Sequence, residues 1–374
     1  MKQIVYLDNA ATTPIDAEVL DWMHQQNASF YGNPSSFHQL GREAKVLVES
    51  ARTTIAKYLK VLPAEIFFTS GGTESINTLV KSLVEKDEIC QLITSPIEHP
   101  AMLRSLEYYC NKLSKPLIYI EVDRMGQVNL EMLEQVLKQA NGSSLVSLMH
   151  ANNELGTLLS IQKVADLTQK YHSFFLSDTV QTMGKLPNDT FGEYVDFAVG
   201  SAHKFHGPKG TSFLYINSKN KISPLLLGGS QERNMRAGTE NVIAISAMAK
   251  AFEIANKEME STNSHIQNLR TYLLNRLRLE FPAVQLNGDP QGLPAILNLG
   301  IPKTTNNELL LMKFDIHGIM VSGGSACSSG AMKDSHVIIA IGINDEIRPI
   351  RLSMSKLTQQ SDLDAFFEVL KKYE

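Results

Sequence analysis

The alternation of strand-like and helix-like segments between about residues 45 and 250 constrains this chain more than any other feature. Residues 65–69, Glu-Ile-Phe-Phe-Thr, read as a short buried strand. They lead through Ser70-Gly71-Gly72 into a segment with apolar residues at Ile76, Leu79, Val80, Leu83 and Val84, the spacing of one helical face. Further strand candidates lie at 117–122, 145–149, 174–177, 195–200 and 212–216, with helical patterns in most of the gaps, such as 130–140 and 161–171. Strands separated by helices require right-handed crossovers, which predicts a mainly parallel sheet covered on both faces. Residues 242–260 read as one long helix, after which strands become fewer, as in a smaller α+β unit.

A length of 374 residues favours about two domains. Apolar residues make up 43% and charged residues 20%, the balance of a soluble globular enzyme. The net charge of -4 arises from 35 basic and 39 acidic residues without a like-charge block, which argues against direct nucleic-acid binding or a polybasic membrane anchor. No apolar run approaches the roughly 18 residues of a membrane span, and Asp8 interrupts the amino-terminal segment before a signal-peptide core forms. Cys90, Cys110 and Cys327 are widely spaced and make neither a disulfide framework nor a CxxC metal pattern. This predicts a cytoplasmic protein, with Cys90 and Cys110 as small buried hydrophobes.

Four strand-to-loop junctions carry polar groups, and ligands of open α/β sheets bind at the carboxyl ends of strands. Ser70-Gly71-Gly72-Thr73-Glu74 offers flexible backbone and a helix N-terminus, which suits a phosphate. Ile97-Glu98-His99-Pro100 brings a histidine, and Phe175-Leu176-Ser177-Asp178-Thr179-Val180-Gln181 brings a carboxylate and an amide. Ser201-Ala202-His203-Lys204-Phe205-His206-Gly207-Pro208 presents a lysine between two histidines, suited to a Schiff base with an aldehyde cofactor. Each alone has a bland reading: a turn, a structural histidine, a strand end, a surface lysine. Together a phosphate cradle, a flat histidine, a carboxylate and a lysine are what pyridoxal phosphate (PLP) requires.

The ordered set of motifs resembles the cysteine desulfurases of the NifS/IscS type, group I, in the class V aminotransferase family. It comprises Tyr6-Leu7-Asp8-Asn9-Ala10-Ala11-Thr12-Thr13-Pro14, Gly32-Asn33-Pro34-Ser35-Ser36, Thr69-Ser70-Gly71-Gly72-Thr73-Glu74 and Glu98-His99-Pro100. It continues with Met149-His150-Ala151-Asn152-Asn153-Glu154-Leu155-Gly156, the Lys204 segment and Arg236-Ala237-Gly238-Thr239-Glu240-Asn241. Ser325-Ala326-Cys327-Ser328-Ser329-Gly330 and Ile350-Arg351-Leu352-Ser353 complete it.

The resemblance implies an α/β, PLP-dependent transferase of fold type I that forms a homodimer. A mainly parallel seven-stranded sheet would occupy a large domain, residues 16–252. Residues 1–15 with 253–374 would form a smaller α+β domain carrying a mobile cysteine loop at about 321–335. Lys204 would hold the cofactor, Asp178 face its ring nitrogen, His99 stack on the ring and Gln181 reach the phenolic oxygen. Gly72, Thr73, Ser201 and His203 would hold the phosphate, with Thr239 reaching it from the neighbouring subunit. Asn153 would also line the cofactor. Arg351, with Asn33 and Asn153, would clamp the substrate carboxylate, a bidentate task that suits a guanidinium.

Cys327 lies in a Gly/Ser-rich segment unable to pack as helix or strand, so its thiol is placed to enter and leave a cleft. The implied reaction removes sulfur from L-cysteine, giving L-alanine and a persulfide on Cys327. Sulfur-acceptor proteins for iron–sulfur cluster assembly or tRNA thiolation would follow, and no permanent metal is implied. Cys327 would serve at most as a transient cluster ligand with a scaffold partner. The chain departs from the family at Ser177, Leu227, Gly323 and Ser355-Lys356. An aminotransferase or selenocysteine lyase of the same fold, or an interaction protein retaining it, are the alternatives.

Overall fold

A computed structural model describes residues 4–187, 191–323 and 335–373. Strand β1 (Val5–Tyr6) lies outside the main sheet. Among the described residues that sheet has seven strands: β2 (Ile66–Thr69), β3 (Ile89–Thr94), β4 (Leu117–Tyr119), β5 (Ser143–Ser147), β6 (Phe174–Asp178), β7 (Phe197–Ser201) and β8 (Ser212–Ile216). Their spatial order is β2-β8-β7-β6-β5-β3-β4. Pairing is parallel from β7 to β4, whereas β8 runs antiparallel to both of its neighbours.

Successive strand residues point to opposite faces, and both faces are apolar. Val146, Phe175 and Ala198 share a core with Val48 and Ile55 of the helix Gln39–Leu59 and Phe252 of the helix Val242–Lys257. Leu145, Leu176 and Val199 pack instead with Leu79 and Leu83 of the helix Gly72–Val84 and Leu106 of the helix Pro100–Leu113. Each fully buried side chain of this size contributes about 1.5–3 kcal/mol relative to exposure.

Strand β3 has no counterpart among the strand candidates read from the sequence. Gln91 breaks its apolar run, but the amide is satisfied sideways, with Nε2 donating to Ser144 Oγ at 3.0 Å. The helix expected over 242–260 ends at Lys257, and a second helix, Met259–Glu280, begins after Glu258. Cys110 is buried, and burial pushes its thiol up to about 11; Cys90, expected inside, is only half-buried.

A smaller antiparallel sheet follows, ordered β12-β10-β9, from β9 (Gln285–Asn287), β10 (Ile296–Pro302) and β12 (Ile347–Ser353). Strand β11 (Ile319–Met320) pairs in parallel with β1. Leu297, Leu299, Ile350 and Leu352 pack there with Leu273, Phe366 and Leu7. The start of the chain is thereby tied to β12: Ser353 N donates to Leu7 O at 2.7 Å and Ala10 N to Ser353 Oγ at 2.8 Å. These bonds carry residues 10–12 to the end of the main sheet.

Candidate active site

Strands β2, β3, β5, β6 and β7 point the same way, so the loops that follow them meet at one edge. They border a cavity of about 240 Å³ lined by Thr73, His99, Asn153, Asp178, Lys204 and Arg351, among others. Gly72, Gln181, Ser201 and His203 line it too.

Lys204 ends a short helical turn, Ala202–Lys204, directly after β7. The strand passes close to its neighbour: a Cβ on Gly200 would lie 2.4 Å from the Phe213 ring, so only glycine fits there. Lys204 Nζ donates to the carbonyls of Ala10 at 2.6 Å and Ala11 at 2.8 Å. His203 Nδ1 lies 3.2 Å from Thr12 Oγ1, and burial, with the nearby Lys204, pushes this imidazole down to about 4. Ser201 Oγ accepts from Ser212 Oγ at 3.0 Å.

Asp178 ends β6, buried, with Oδ1 accepting from Val180 N at 3.0 Å. Among the described residues nothing donates to its other oxygen. Burial raises its carboxyl above the ordinary range, opposed by the charges of His99 and Lys204. His99 caps the helix Pro100–Leu113, where proline suits the first helical position. Its Nδ1 accepts from Ala101 N at 3.1 Å, and burial lowers its pKa. Gln181 Nε2 donates to Ala10 O at 3.0 Å. The helix Gly72–Val84 opens at the cavity, and its first-turn N–H groups have no intrahelical acceptor.

Arg351 reaches the cavity from β12. It pairs with Asp8 at 2.7 Å and donates to Asn153 O at 2.9 Å, while its buried Nε has no partner among the described residues. Asn33 and Thr239 are exposed and do not line the cavity; Asn33 Oδ1 accepts from Ser35 N at 2.9 Å. Cys327 lies outside the described residues.

Sequence reading missed several groups here. Glu98 and Glu154 stand beside expected site residues, yet pattern cannot show that both are buried acids. Asp8, the partner of Arg351, belongs to a quoted motif, but their pairing spans the whole chain. Lys185 stands four residues after Gln181, the one local signal available. The departures find places as well. Ser177 Oγ donates to Leu148 O at 2.9 Å, Leu227 is exposed, and Lys356 pairs with Asp16 and with Glu258 at 2.7 Å. A Cβ on Gly323 would approach Leu311 Cδ1 to 2.6 Å, so a serine there requires Leu311 to move.

The donor set fits PLP on this chain's own terms. A buried carboxylate with an unfilled oxygen calls for a cationic ring nitrogen, and a helix N-terminus with free N–H groups calls for an anion. An amine stands between them. Among the described residues no cluster of histidine, cysteine, aspartate or glutamate is arranged to hold a metal, and no helix is long and apolar enough to cross a membrane.

The fold is that of the PLP-dependent transferases of fold type I. The class-V aminotransferase family model matches residues 5–366. A cysteine desulfurase IscS of Dictyoglomus turgidum is 41% identical over 100% of this chain and 95% of its own length. A cysteine desulfurase IscS of Methanosarcina thermophila is 38% identical over 98% of this chain and 91% of its own. A solved NifS-like protein superposes with a TM-score of 0.90 at 37% identity, covering 99% of each chain. The chain belongs to the class-V aminotransferase family and, within it, to the NifS/IscS-type cysteine desulfurases.

Proposed function

We propose that this chain is a cytoplasmic, homodimeric cysteine desulfurase that binds PLP at Lys204 and moves sulfur from L-cysteine to Cys327, releasing L-alanine. The observation that carries this reading is where the segment bearing Cys327 is anchored. On one side Ser322 exchanges backbone hydrogen bonds with Arg351, at 3.2 and 2.7 Å. On the other Ser335 Oγ donates to Glu154 Oε2 at 2.6 Å. Arg351 and Glu154 both line the cavity, so the described residues on either side of the Cys327 segment are bonded to residues of the site.

When bound, PLP supplies an electron sink for charge developing at the substrate Cα. Asp178 holds the ring nitrogen in its cationic form through a charge-assisted bond of about 1.5–3 kcal/mol. Gly72, Thr73, Ser201, His203 and the free N–H groups of the helix N-terminus hold the phosphate, joined by Thr239 of a second copy. The low pKa of His203 keeps its ring neutral near pH 7, a hydrogen-bonding partner rather than a counter-ion. Arg351 and Asn153, which line the cavity where Asn33 does not, hold the substrate carboxylate, with the Arg351 Nε that has no partner among the described residues available to an anion. Lys204 Nζ moves the proton at Cα. His99 has its Nδ1 taken by Ala101 N–H, which leaves Nε2 to carry a proton. The Cys327 thiolate attacks the substrate sulfur. An S–S bond forms, the C–S bond breaks, and protonation at the released carbon yields alanine.

The persulfide passes to an acceptor protein of iron–sulfur assembly or tRNA thiolation. The division into residues 16–252 and residues 1–15 with 253–374 is part of the same proposal, supported by the apolar core around β10 and β12. Purified wild-type protein loaded with PLP and given L-cysteine releases alanine. Cys327→Ala keeps the cofactor absorbance and releases none. Alanine release by Cys327→Ala at the wild-type rate contradicts the proposal.

A further inference from the structure

Resting on that reading of the site, we propose that Lys185 is a positioning residue for Gln181. It fixes the amide so that the glutamine offers a hydrogen-bond donor, not an acceptor, to a ligand in the cavity.

Lys185 follows Gly184, whose φ of +73° and close neighbours, Ala255 Cβ at 3.0 Å and Phe205 Cβ at 3.1 Å from an added Cβ, require glycine. The turn directs Lys185 inward, where it lines a second cavity of about 50 Å³ behind Lys204. Lys185 Nζ donates to Gln181 Oε1 at 3.4 Å. Gln181 Nε2 donates to Ala10 O at 3.0 Å, the carbonyl that also accepts from Lys204 Nζ at 2.6 Å. One chain of contacts therefore links the two amines through a single amide and a single carbonyl.

The amide has one stable orientation in this setting. Rotated by half a turn, its NH2 would face the Lys185 amine and its oxygen would face the Ala10 carbonyl, placing like against like at both ends. An amine donates whether or not it is protonated, so the constraint holds across pH. The NH2 group has two hydrogens. Ala10 uses one, and the other remains for the cavity that Gln181 lines. An anionic oxygen, such as a phenolate, is the ligand group that this donor fits.

The surroundings do not offer Lys185 another role. Among the described residues no carboxylate forms an ion pair with it, although Asp16, Glu258 and Lys356 line the same small cavity. Of the other titratable groups nearby, Lys204 acts on it through its charge, and its own charge acts on His203 and His206. Burial, with Lys204 adding to it, pushes the Lys185 amine down to about 7. Its attachment is thus to the amide.

The test is a double-mutant cycle on the PLP-loaded protein, read as the pH midpoint of its visible absorbance and not as turnover. A donor at an anionic oxygen favours the less protonated form, so losing it raises the midpoint. Gln181→Ala raises the midpoint by about one pH unit. Lys185→Met raises it comparably, and the double variant moves no further than Gln181→Ala alone. Lys185→Arg, for which the adjoining cavity has room, keeps the wild-type midpoint. If Lys185→Met does not fold, the same cycle is run with Lys185→Gln, whose shorter chain withdraws the donor but keeps a polar end. An unchanged midpoint in the lysine variant, or shifts that add in full, overturns the role of Lys185. A wild-type protein that takes up no PLP overturns the reading of the whole site instead.

Discussion

Glu98 is buried one residue before the histidine that caps the helix Pro100–Leu113. Its Oε1 accepts from Met149 N at 2.9 Å and from Ser95 Oγ at 3.0 Å, while Oε2 has no partner among the described residues. Burial, with the charge of Asp178 adding to it, outweighs those bonds and pushes the carboxyl up to about 8. The folded chain therefore keeps this proton where the unfolded chain, with its ordinary value of 4.5, has lost it. The sign follows from linkage: this group's contribution to stability falls as pH rises from 4.5 to about 8 and is level above that. Glu98→Gln stays neutral throughout. Denaturation of the cofactor-free proteins across this range measures the difference, which grows in favour of Glu98→Gln by up to about 1.4 kcal/mol per pH unit. Parallel pH profiles for the two proteins would show that Glu98 ionises normally.

Between elements, Lys356 joins the N-cap of the helix Ala17–Ser29 to the junction of two later helices. It pairs with Asp16 and, at 2.7 Å, with Glu258. Although desolvation opposes both shifts, the pairing lowers the pKa of Asp16 and raises that of Lys356. The stabilisation is fully present between the unfolded values, 3.8 for the carboxyl and 10.5 for the amine. It is lost as pH falls through the depressed value of Asp16. Lys356→Met lowers stability at neutral pH by about 1 kcal/mol, because the groups are partly exposed. Thermal melts at pH 7 and pH 3 check this: the gap between variant and wild type closes in acid, and a gap of equal size at both contradicts the ion-pair account.

Strands β2, β5, β6, β7 and β8 read out from the sequence because apolar runs on a sheet covered on both faces are continuous. The helices at 130–140 and 161–171 read out to within a residue, as Leu130–Gln139 and Ile161–Lys170. Strand β3 did not, since Gln91 masks it and only a cross-strand partner makes that amide acceptable. Lys204, Asp178 and His99 were legible because strand ends are the places where α/β sheets carry chemistry. The Asp8–Arg351 pair and the Lys185–Gln181 contact were not. One joins chain ends that only folding brings together, and the other depends on an inward turn at Gly184.

Across the molecule, the seven-stranded sheet and the smaller sheet both contribute to one cavity. The main sheet presents Lys204, Asp178, His99 and the N-terminus of the helix Gly72–Val84, while β12 brings Arg351 and the first residues of the chain bring the carbonyls that hold Lys204. Thr239 and Asn33 are exposed and stand outside this cavity. The described residues that flank the Cys327 segment, Ser322 and Ser335, bond to Arg351 and Glu154 of the same cavity. In the proposed reaction this cysteine receives the substrate sulfur. Mass analysis of the PLP-loaded wild-type protein after limited exposure to L-cysteine tests it most directly. The added mass of one sulfur atom is expected on the peptide containing Cys327 and not on those containing Cys90 and Cys110. Alanine formed with that peptide unmodified throughout, or sulfur found instead on Cys90 or Cys110, contradicts it.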